Sequence, residues 1–281
     1  MKRKIGLVVD STFRLHPDFV KKEQISIVPL KVIIDGHEYV DGEFQPEQII
    51  RALEKKQQIM TSQPSPEAFK EAFNEQLKHF DEVLCLTLAK TLSGTYNSAT
   101  LAKTILDTDK IVVLDTETIS LQGYYLIEKS LELLNNGATI QETIQMIQQL
   151  KDQGHILFTI DNLSTLQRSG RISKFSSYLG NILKIKPVLI FKDGIIDVIH
   201  RSRGFNSVMS YLKKQIQALL NLRKRVIVYI GYIDRSVEAK ALEHEIYQLD
   251  ENIEIRILGT ISPVISAHLG LGGLGIYLGY E

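Results

Sequence analysis

Two short polar stretches carry side chains suited to holding an anion. The first is Leu92-Ser93-Gly94-Thr95, which follows the apolar run Val83–Leu88 and opens a helical pattern at Thr95. Ser93 stands where a helix N-cap belongs. The first turn of a helix leaves backbone N–H groups without intrahelical partners, and the helix dipole adds partial positive charge there. Gly94 has no Cβ, so a ligand can come close to the backbone. A hydroxyl beside bare N–H groups suits a phosphate or a carboxylate. A plain capped helix fits the same residues. The second stretch is Met60-Thr61-Ser62-Gln63-Pro64-Ser65-Pro66. It reads as a polar loop bearing three hydroxyls and an amide, with Ser65 and Pro66 as N-cap and first position of the next helix. Turn chemistry alone also accounts for these residue types.

The other candidates lie in the second half. His268 precedes the glycine-rich run Gly270–Gly275. Arg201 and Arg203 end a β-rich run two residues apart, so they share one face. They are either a solvated pair or a contact for a phosphate or a partner. Arg168 and Arg171 extend the same basic patch. Ser93 with His268 would be the nucleophile and base of a serine hydrolase or acyltransferase, but no Gly-x-Ser-x-Gly elbow is present. The seven histidines are scattered and Cys85 is the single cysteine, so no metal site is expected. No phosphate-binding loop ending in Gly-Lys-Ser/Thr occurs, nor a Gly-x-Gly-x-x-Gly run ahead of a helix. The glycine run therefore reads as close backbone packing, and the chain is not expected to bind ATP or another cofactor itself. A scaffold without a ligand is a further class of reading.

Strands must carry these loops. Ile5–Val9 is a buried run ending in Asp10-Ser11-Thr12, and Ile25–Ile34 is β-rich. Asp35-Gly36 predicts a hairpin to His37–Val40. Helices are predicted from Pro46, from Pro66 to about His79, and from Thr95, with Ala99, Ala102, Ile105 and Leu106 inward. Ile111–Leu114 and two more helices, Ser120–Leu134 and Thr139–Gln153, follow. Short apolar strands alternating with helices predict a parallel α/β sheet with flanking helices, whose ligands bind at the strands' carboxyl ends. The pattern changes near Gly154, which puts domain boundaries at 1–153 and 154–281. In the second half we expect a strand at His155–Ile160, a short helix from Asp161-Asn162 and another from Arg171-Ile172-Ser173. The hairpin Pro187–Phe191/Ile195–His200 follows, then a helix at Phe205–Leu222. Strand Val226–Ile233, helix Ser236–Leu249, strand Ile253–Leu258 and a strand-like tail complete it. This predicts a second α/β domain with a mixed sheet.

Composition removes several classes. The chain has 281 residues, 44% hydrophobic, with 33 basic and 33 acidic side chains. A net charge of zero disfavours nucleic acid as a partner. A lone cysteine inside an apolar run points to a reducing, cytoplasmic compartment. The basic start before Ile5–Val9 is too short in its apolar part for a signal peptide, and no stretch approaches the ~18 apolar residues of a membrane span.

Several of these stretches stand in one order: Asp10-Ser11-Thr12, Thr61-Ser62-Gln63-Pro64-Ser65, Leu92-Ser93-Gly94-Thr95-Tyr96-Asn97-Ser98-Ala99, Gly170-Arg171-Ile172-Ser173, Lys186-Pro187, Arg201-Ser202-Arg203, and His268 before the glycines. Together they resemble the DegV family of bacterial fatty-acid-binding proteins, over the whole chain. The resemblance implies two α/β domains with one long-chain fatty acid buried between them. Its carboxylate would be held by the hydroxyls of Thr61 and Ser93, with Ser62, Gly94 and His268 beside them. It implies the acyl-carrying role in fatty acid kinase, in which a separate ATP-binding subunit phosphorylates the presented carboxylate. Arg201, Arg203, Arg168 and Arg171 would then meet that partner, and peripheral contact with a membrane would serve lipid exchange. The sequence departs from the family's usual pattern at Ala89-Lys90-Thr91, Ser169, Gly204 and Leu271. These positions bear on chain selectivity and the kinase contact.

Overall fold

The computed structural model describes residues 3–172 and 185–281. The helix expected from Arg171-Ile172-Ser173 falls outside the described residues from Ser173 onward. The chain divides into two compact units. One is Met1–Gln45, Gln58–Lys151 and Ser262–Val264; the other is Pro46–Gln57, Asp152–Ile261 and Ile265–Glu281.

Strand β1 (Ile5–Asp10) is buried along its whole length, as a central parallel strand must be. A single 3-10 turn, Ser11–Phe13, leads on to helix α1 (Pro17–Lys22) and β2 (Ile25–Val28). Pro29 then ends the ladder, because proline has no N–H to donate. The chain resumes as β3 (Lys31–Ile34) and returns as β4 (His37–Val40). Asp35 and Gly36 between them have φ of 48° and 84°, the left-handed pair of a tight hairpin turn. Helix α2 (Pro46–Glu54) belongs to the second unit.

Strand β5 (Ile59–Ser62) corrects the loop reading of Met60-Thr61-Ser62. These residues pair antiparallel with β3, placing Thr61 opposite Val32 and Ser62 opposite Lys31. The strand is half-exposed and short, so its polar residues hide its period. It completes a three-stranded sheet in the order β4-β3-β5.

Helix α3 (Pro66–Leu77) has Ser65 as N-cap, its Oγ accepting from Ala68 N at 3.2 Å. Strand β6 (Glu82–Thr87), helix α4 (Thr95–Leu106) and strand β7 (Ile111–Asp115) follow. Helices α5 (Ser120–Asn135) and α6 (Ile140–Asp152) end this half. The sheet is parallel, as the alternation predicts, and its order is β2-β1-β6-β7. Val8, Cys85 and Ile111 on one face pack with Phe69 and Phe73 of α3 and with Ala99 and Ala102 of α4. Ile105 departs from expectation: it is 54% exposed, at the flank of the narrow stripe Thr95, Ser98, Ala99 and Ala102. Helix α5 comes so close to the Ser11–Phe13 turn that a Cβ on Gly123 would fall on the Phe13 ring.

The second unit holds β8 (Gly154–Thr159), α7 (Leu163–Arg168), β9 (Lys186–Lys192) and β10 (Ile195–Ser202). After them come α8 (Phe205–Asn221), β11 (Val226–Tyr232), α9 (Ser236–Tyr247) and β12 (Glu254–Thr260). Helix α10 (Pro263–Leu269) and β13 (Leu274–Tyr280) complete the chain. The sheet order is β10-β9-β8-β13-β11-β12, antiparallel except for β11 with β12, hence mixed. Val208, Leu212 and Ile216 of α8, with Ala239 and Leu242 of α9, close over the strands' apolar side. The glycine run is packing: a Cβ on Gly273 would meet Ile233 and one on Gly275 would meet Phe158. Before it Ser262-Pro263 leads into α10, and His268 sits in the last turn of that helix. Among the described residues, no helix is long and apolar enough to cross a membrane.

Candidate functional site

The two hydroxyl-bearing stretches meet in the first unit. Gln63 follows β5 directly, and its Nε2 donates to Ser98 Oγ in the first turns of α4 at 3.0 Å. Its carboxamide lies over Gly94: a Cβ built there would fall on Gln63 Oε1, 2.7 Å from Cδ and 2.8 Å from Nε2. The approach that a bare glycine permits is thus taken up by Gln63. Thr61, Ser62, Ser93 and Gly94 are all half-buried, which leaves hydroxyl and amide groups near the surface yet partly shielded from water.

The cap of α4 differs from expectation. Gly94 is the N-cap, with φ −75° and ψ 8°, and no side chain caps it. Its carbonyl accepts the first helical bond, from Ser98 N at 3.0 Å. Ser93 stands one residue earlier. Its Oγ shares a 2.9 Å hydrogen bond with Thr95 Oγ1, and Thr95 N reaches it at 3.4 Å. The hydroxyl beside uncapped N–H groups is present, in a register one residue from the predicted one.

In the same unit a buried polar cluster joins the Asp10-Ser11-Thr12 motif to Asp41. Asp10 is buried at the end of β1. It accepts from Thr12 N at 3.0 Å, Thr12 Oγ1 at 2.5 Å and Leu88 N at 2.6 Å. Burial pushes its carboxyl up to about 6, against the pull of those hydrogen bonds. Asp41 is also buried. Its Oδ2 accepts from Ser11 Oγ and Ser262 Oγ, both at 2.7 Å, while its Oδ1 is buried without a hydrogen bond. Burial pushes this carboxyl up as well, opposed by the Ser11 and Ser262 hydroxyls. Ser262 Oγ also accepts from Val264 N at 3.2 Å, so it anchors the start of α10. The Ser262-Pro263 pair has the same form as Ser65-Pro66, so its signal was present in the sequence. The Asp41 contact, 221 residues away in sequence, had none.

In the second unit, His268 is half-buried. Burial, reinforced by the charge of Arg171, pushes its pKa down to about 4, so the imidazole is neutral at physiological pH. Arg171 and Arg168 are exposed on either side of the Ser169-Gly170 turn that ends α7. Arg201 lies in the last turn of the β10 ladder and Arg203 just beyond it; both are exposed, with Ser202 fully buried between them. Their shared face is the solvent face. A network missing from the sequence reading centres on Asp161. It accepts from Arg235 Nη2 at 2.9 and 3.0 Å and pairs with Lys186. Although burial pushes the Asp161 carboxyl up, Lys186 and Arg235 outweigh that and hold it low. Gly272, with φ +76°, leaves room for this carboxylate. Among the described residues, no group of three or more His, Cys, Asp or Glu could hold a metal ion.

Fold and site together define a class: an α/β protein of two units, one on a parallel sheet and one on a mixed sheet, with hydroxyls and an uncapped helix start as its anion-suited group. Comparison with known proteins is more specific. The DegV family model matches residues 4–281, and the chain belongs to that family. A DegV domain-containing protein of Staphylococcus aureus (strain N315) is 31% identical over 274 residues, covering 96% of both chains. Among solved structures, a DegV family protein from Thermus thermophilus, described for its fatty acid binding, superposes with a TM-score of 0.90. It is 31% identical and covers 99% of this chain and all of its own. DegV of Bacillus subtilis, described as a fatty acid binding protein, reaches 0.89 at 26% identity with both chains fully covered. A stearic-acid-binding protein from Eubacterium ventriosum reaches 0.86 at 27% identity, covering 100% of this chain and 98% of its own.

Proposed function

We propose that this chain binds a long-chain fatty acid and presents its carboxylate to a separate ATP-binding kinase subunit, which converts it to an acyl phosphate. The observation that carries the binding step is the likeness, at 31% identity and a TM-score of 0.90, to a DegV protein described as fatty-acid-binding. Strand β5 with Thr61 and the loop with Ser93 that Gln63 joins to it are the group in this chain suited to the head of such a ligand. A buried acyl tail contributes about 0.8 kcal/mol per CH₂, on the order of 10 kcal/mol for sixteen carbons before ordering costs. The carboxylate, if buried alone, would cost several kcal/mol. Hydroxyl donors at Thr61 and Ser93 and the amides behind Gly94 offset that cost, whereas Ser62, next to Thr61 on β5, faces the other side of the strand. Because His268 is neutral, its role is to donate one hydrogen bond to the carboxylate, not to supply charge. The same low pKa makes it a poor general base at neutral pH, which weighs against a hydrolase built on Ser93.

Positive charge for the phosphoryl step is assigned to arginine. Arg201 and Arg203 are exposed on one face, and guanidinium groups recognise phosphate and carboxylate in bidentate fashion. In this reading they meet the kinase subunit, with Arg168 and Arg171 alongside. The family resemblance, rather than any geometry described above, is the ground for placing the tail between two α/β domains, for a cytoplasmic setting and for transient membrane contact during lipid exchange.

The test is extraction of the purified protein into organic solvent, followed by lipid analysis and reloading with palmitate. A recovered acyl chain, or stoichiometric reloading, is the expected result. An empty protein that cannot be reloaded would remove the proposal. Thr61→Ala and Ser93→Ala should each weaken palmitate binding by about 1.5–3 kcal/mol, one charge-assisted hydrogen bond, with the fold retained by circular dichroism.

A further inference from the structure

We infer that Gln63 is the positioning residue of the carboxylate site, locking the strand that carries Thr61 onto the loop that carries Ser93, and that Gly94 is glycine to make room for it. The inference rests on the fatty-acid reading above for what the site holds, and on geometry alone for the lock. Gly94 adopts φ −75° and ψ 8°, a conformation open to any L residue, so its backbone does not require glycine. Space does. A Cβ at this position would land on the Gln63 carboxamide, and no other atom is closer to it than Gln63 Oε1, Cδ and Nε2. The same carboxamide donates to Ser98 Oγ at 3.0 Å. Ser98 is itself buried and its N–H bonds the Gly94 carbonyl, so Gln63 holds the first turn of α4 by one hydrogen bond while its carboxamide lies over Gly94.

On the other side Gln63 is the residue next to Ser62, and β5 is fixed by its ladder to β3. Thr61 and Ser93 are 32 positions apart in sequence and lie on different elements. A pair of hydroxyls donates well to one carboxylate only when its spacing is fixed beforehand, since small misplacements weaken hydrogen bonds steeply. The Gln63 carboxamide links the two elements in the right place to fix it.

The experiment is a double-mutant cycle on the full chain. Gln63→Ala, Gly94→Ala, the double variant and Gln63→Met are compared for affinity to palmitate and to hexadecanol, and for urea stability. Hexadecanol carries the same tail without a carboxylate. Gln63→Ala and Gly94→Ala should each lower palmitate affinity about tenfold and hexadecanol affinity less than twofold. In the Gln63→Ala background, Gly94→Ala should add nothing to either effect, because the Cβ then has room. Gln63→Met, which keeps length but not the hydrogen bond, should not restore palmitate binding. Equal losses for both ligands, unchanged palmitate affinity in Gln63→Ala, or full additivity of the two substitutions would each overturn the inference. If even the wild type binds no palmitate, the fatty-acid reading fails. The urea cycle still judges the lock in that case: coupled effects support it and additive ones refute it.

Discussion

Asp10 and His268 should give the protein two pH-dependent stability contributions of opposite sign in one pH window. Asp10 titrates near 6 when folded and near 3.8 when unfolded. Between those values the folded state binds more protons than the unfolded state, so this carboxyl makes stability fall as pH rises. His268 titrates near 4 when folded and 6.5 when unfolded. Between those values the folded state binds fewer protons, so stability rises with pH. At about 1.4 kcal/mol per pKa unit, each contribution is about 3 kcal/mol. Wild type alone would conceal them, because they oppose one another; the raised Asp41 adds to the first and the lowered His155 to the second. Differences from wild type isolate each group. Urea unfolding at half-unit steps from pH 4 to pH 7 should show Asp10→Asn gaining about 3 kcal/mol on wild type across the range. His268→Gln should lose about as much over the same interval. Both comparisons are read from midpoints at constant slope. Two difference profiles of the same sign, or either one flat to within ~0.5 kcal/mol, would refute the assignment of these shifts to burial.

Ser262→Ala removes one charge-assisted bond to Asp41 and the anchor on Val264 N; a Tm loss on the order of 5 °C is expected by calorimetry, since about 1.5–3 kcal/mol is involved. Gly272→Ala forces a Cβ into the Asp161 carboxylate at φ +76°. It should cost about 1–3 kcal/mol of urea stability or more, because left-handed strain is added to the clash, whereas at Gly94→Ala only the clash with Gln63 arises. Arg203→Ala should keep its lipid but lower acyl-phosphate formation with a matched kinase subunit, because an exposed guanidinium does little for an apolar tail; an emptied site would contradict the assigned role. His268→Ala should lower the same turnover with at most a few-fold loss of palmitate affinity, measured by equilibrium dialysis.

What the sequence disclosed, and what it withheld, follows the range of the interactions. The Asp35-Gly36 turn, the Ser65-Pro66 cap and the apolar strands β1, β6 and β7 are specified within a few residues, and all stand where the residues suggest. Ile25–Ile34 reads as one β-rich run, yet β2 joins the parallel sheet and β3 the antiparallel one. Pro29 marks the break, but only the distant partners β1 and β5 decide which sheet each half enters. Strand β5 was hidden because half-exposed Met60-Thr61-Ser62 has the composition of a turn. Helix α10 was hidden by the glycines beside it, although Ser262-Pro263 announced it.

The candidate site divides in the same way. Its hydroxyls and arginines are visible as residue types, and the exposure of Arg201 and Arg203 follows from alternation about Ser202. The contacts that give the hydroxyls a geometry are not local. Gln63 meets Ser98 from 35 residues away and Asp41 meets Ser262 from 221. Each joins an exposed or half-exposed stretch to the buried start of a helix. A glycine flanking a serine invites the thought of a ligand at the backbone. An ordinary φ at Gly94 with a carboxamide over its Cα shows that the protein's own side chain can claim that space first. The ligand is then met by what the side chain holds in place: Ser93 at the loop, Thr61 at the strand end, and the spacing between them.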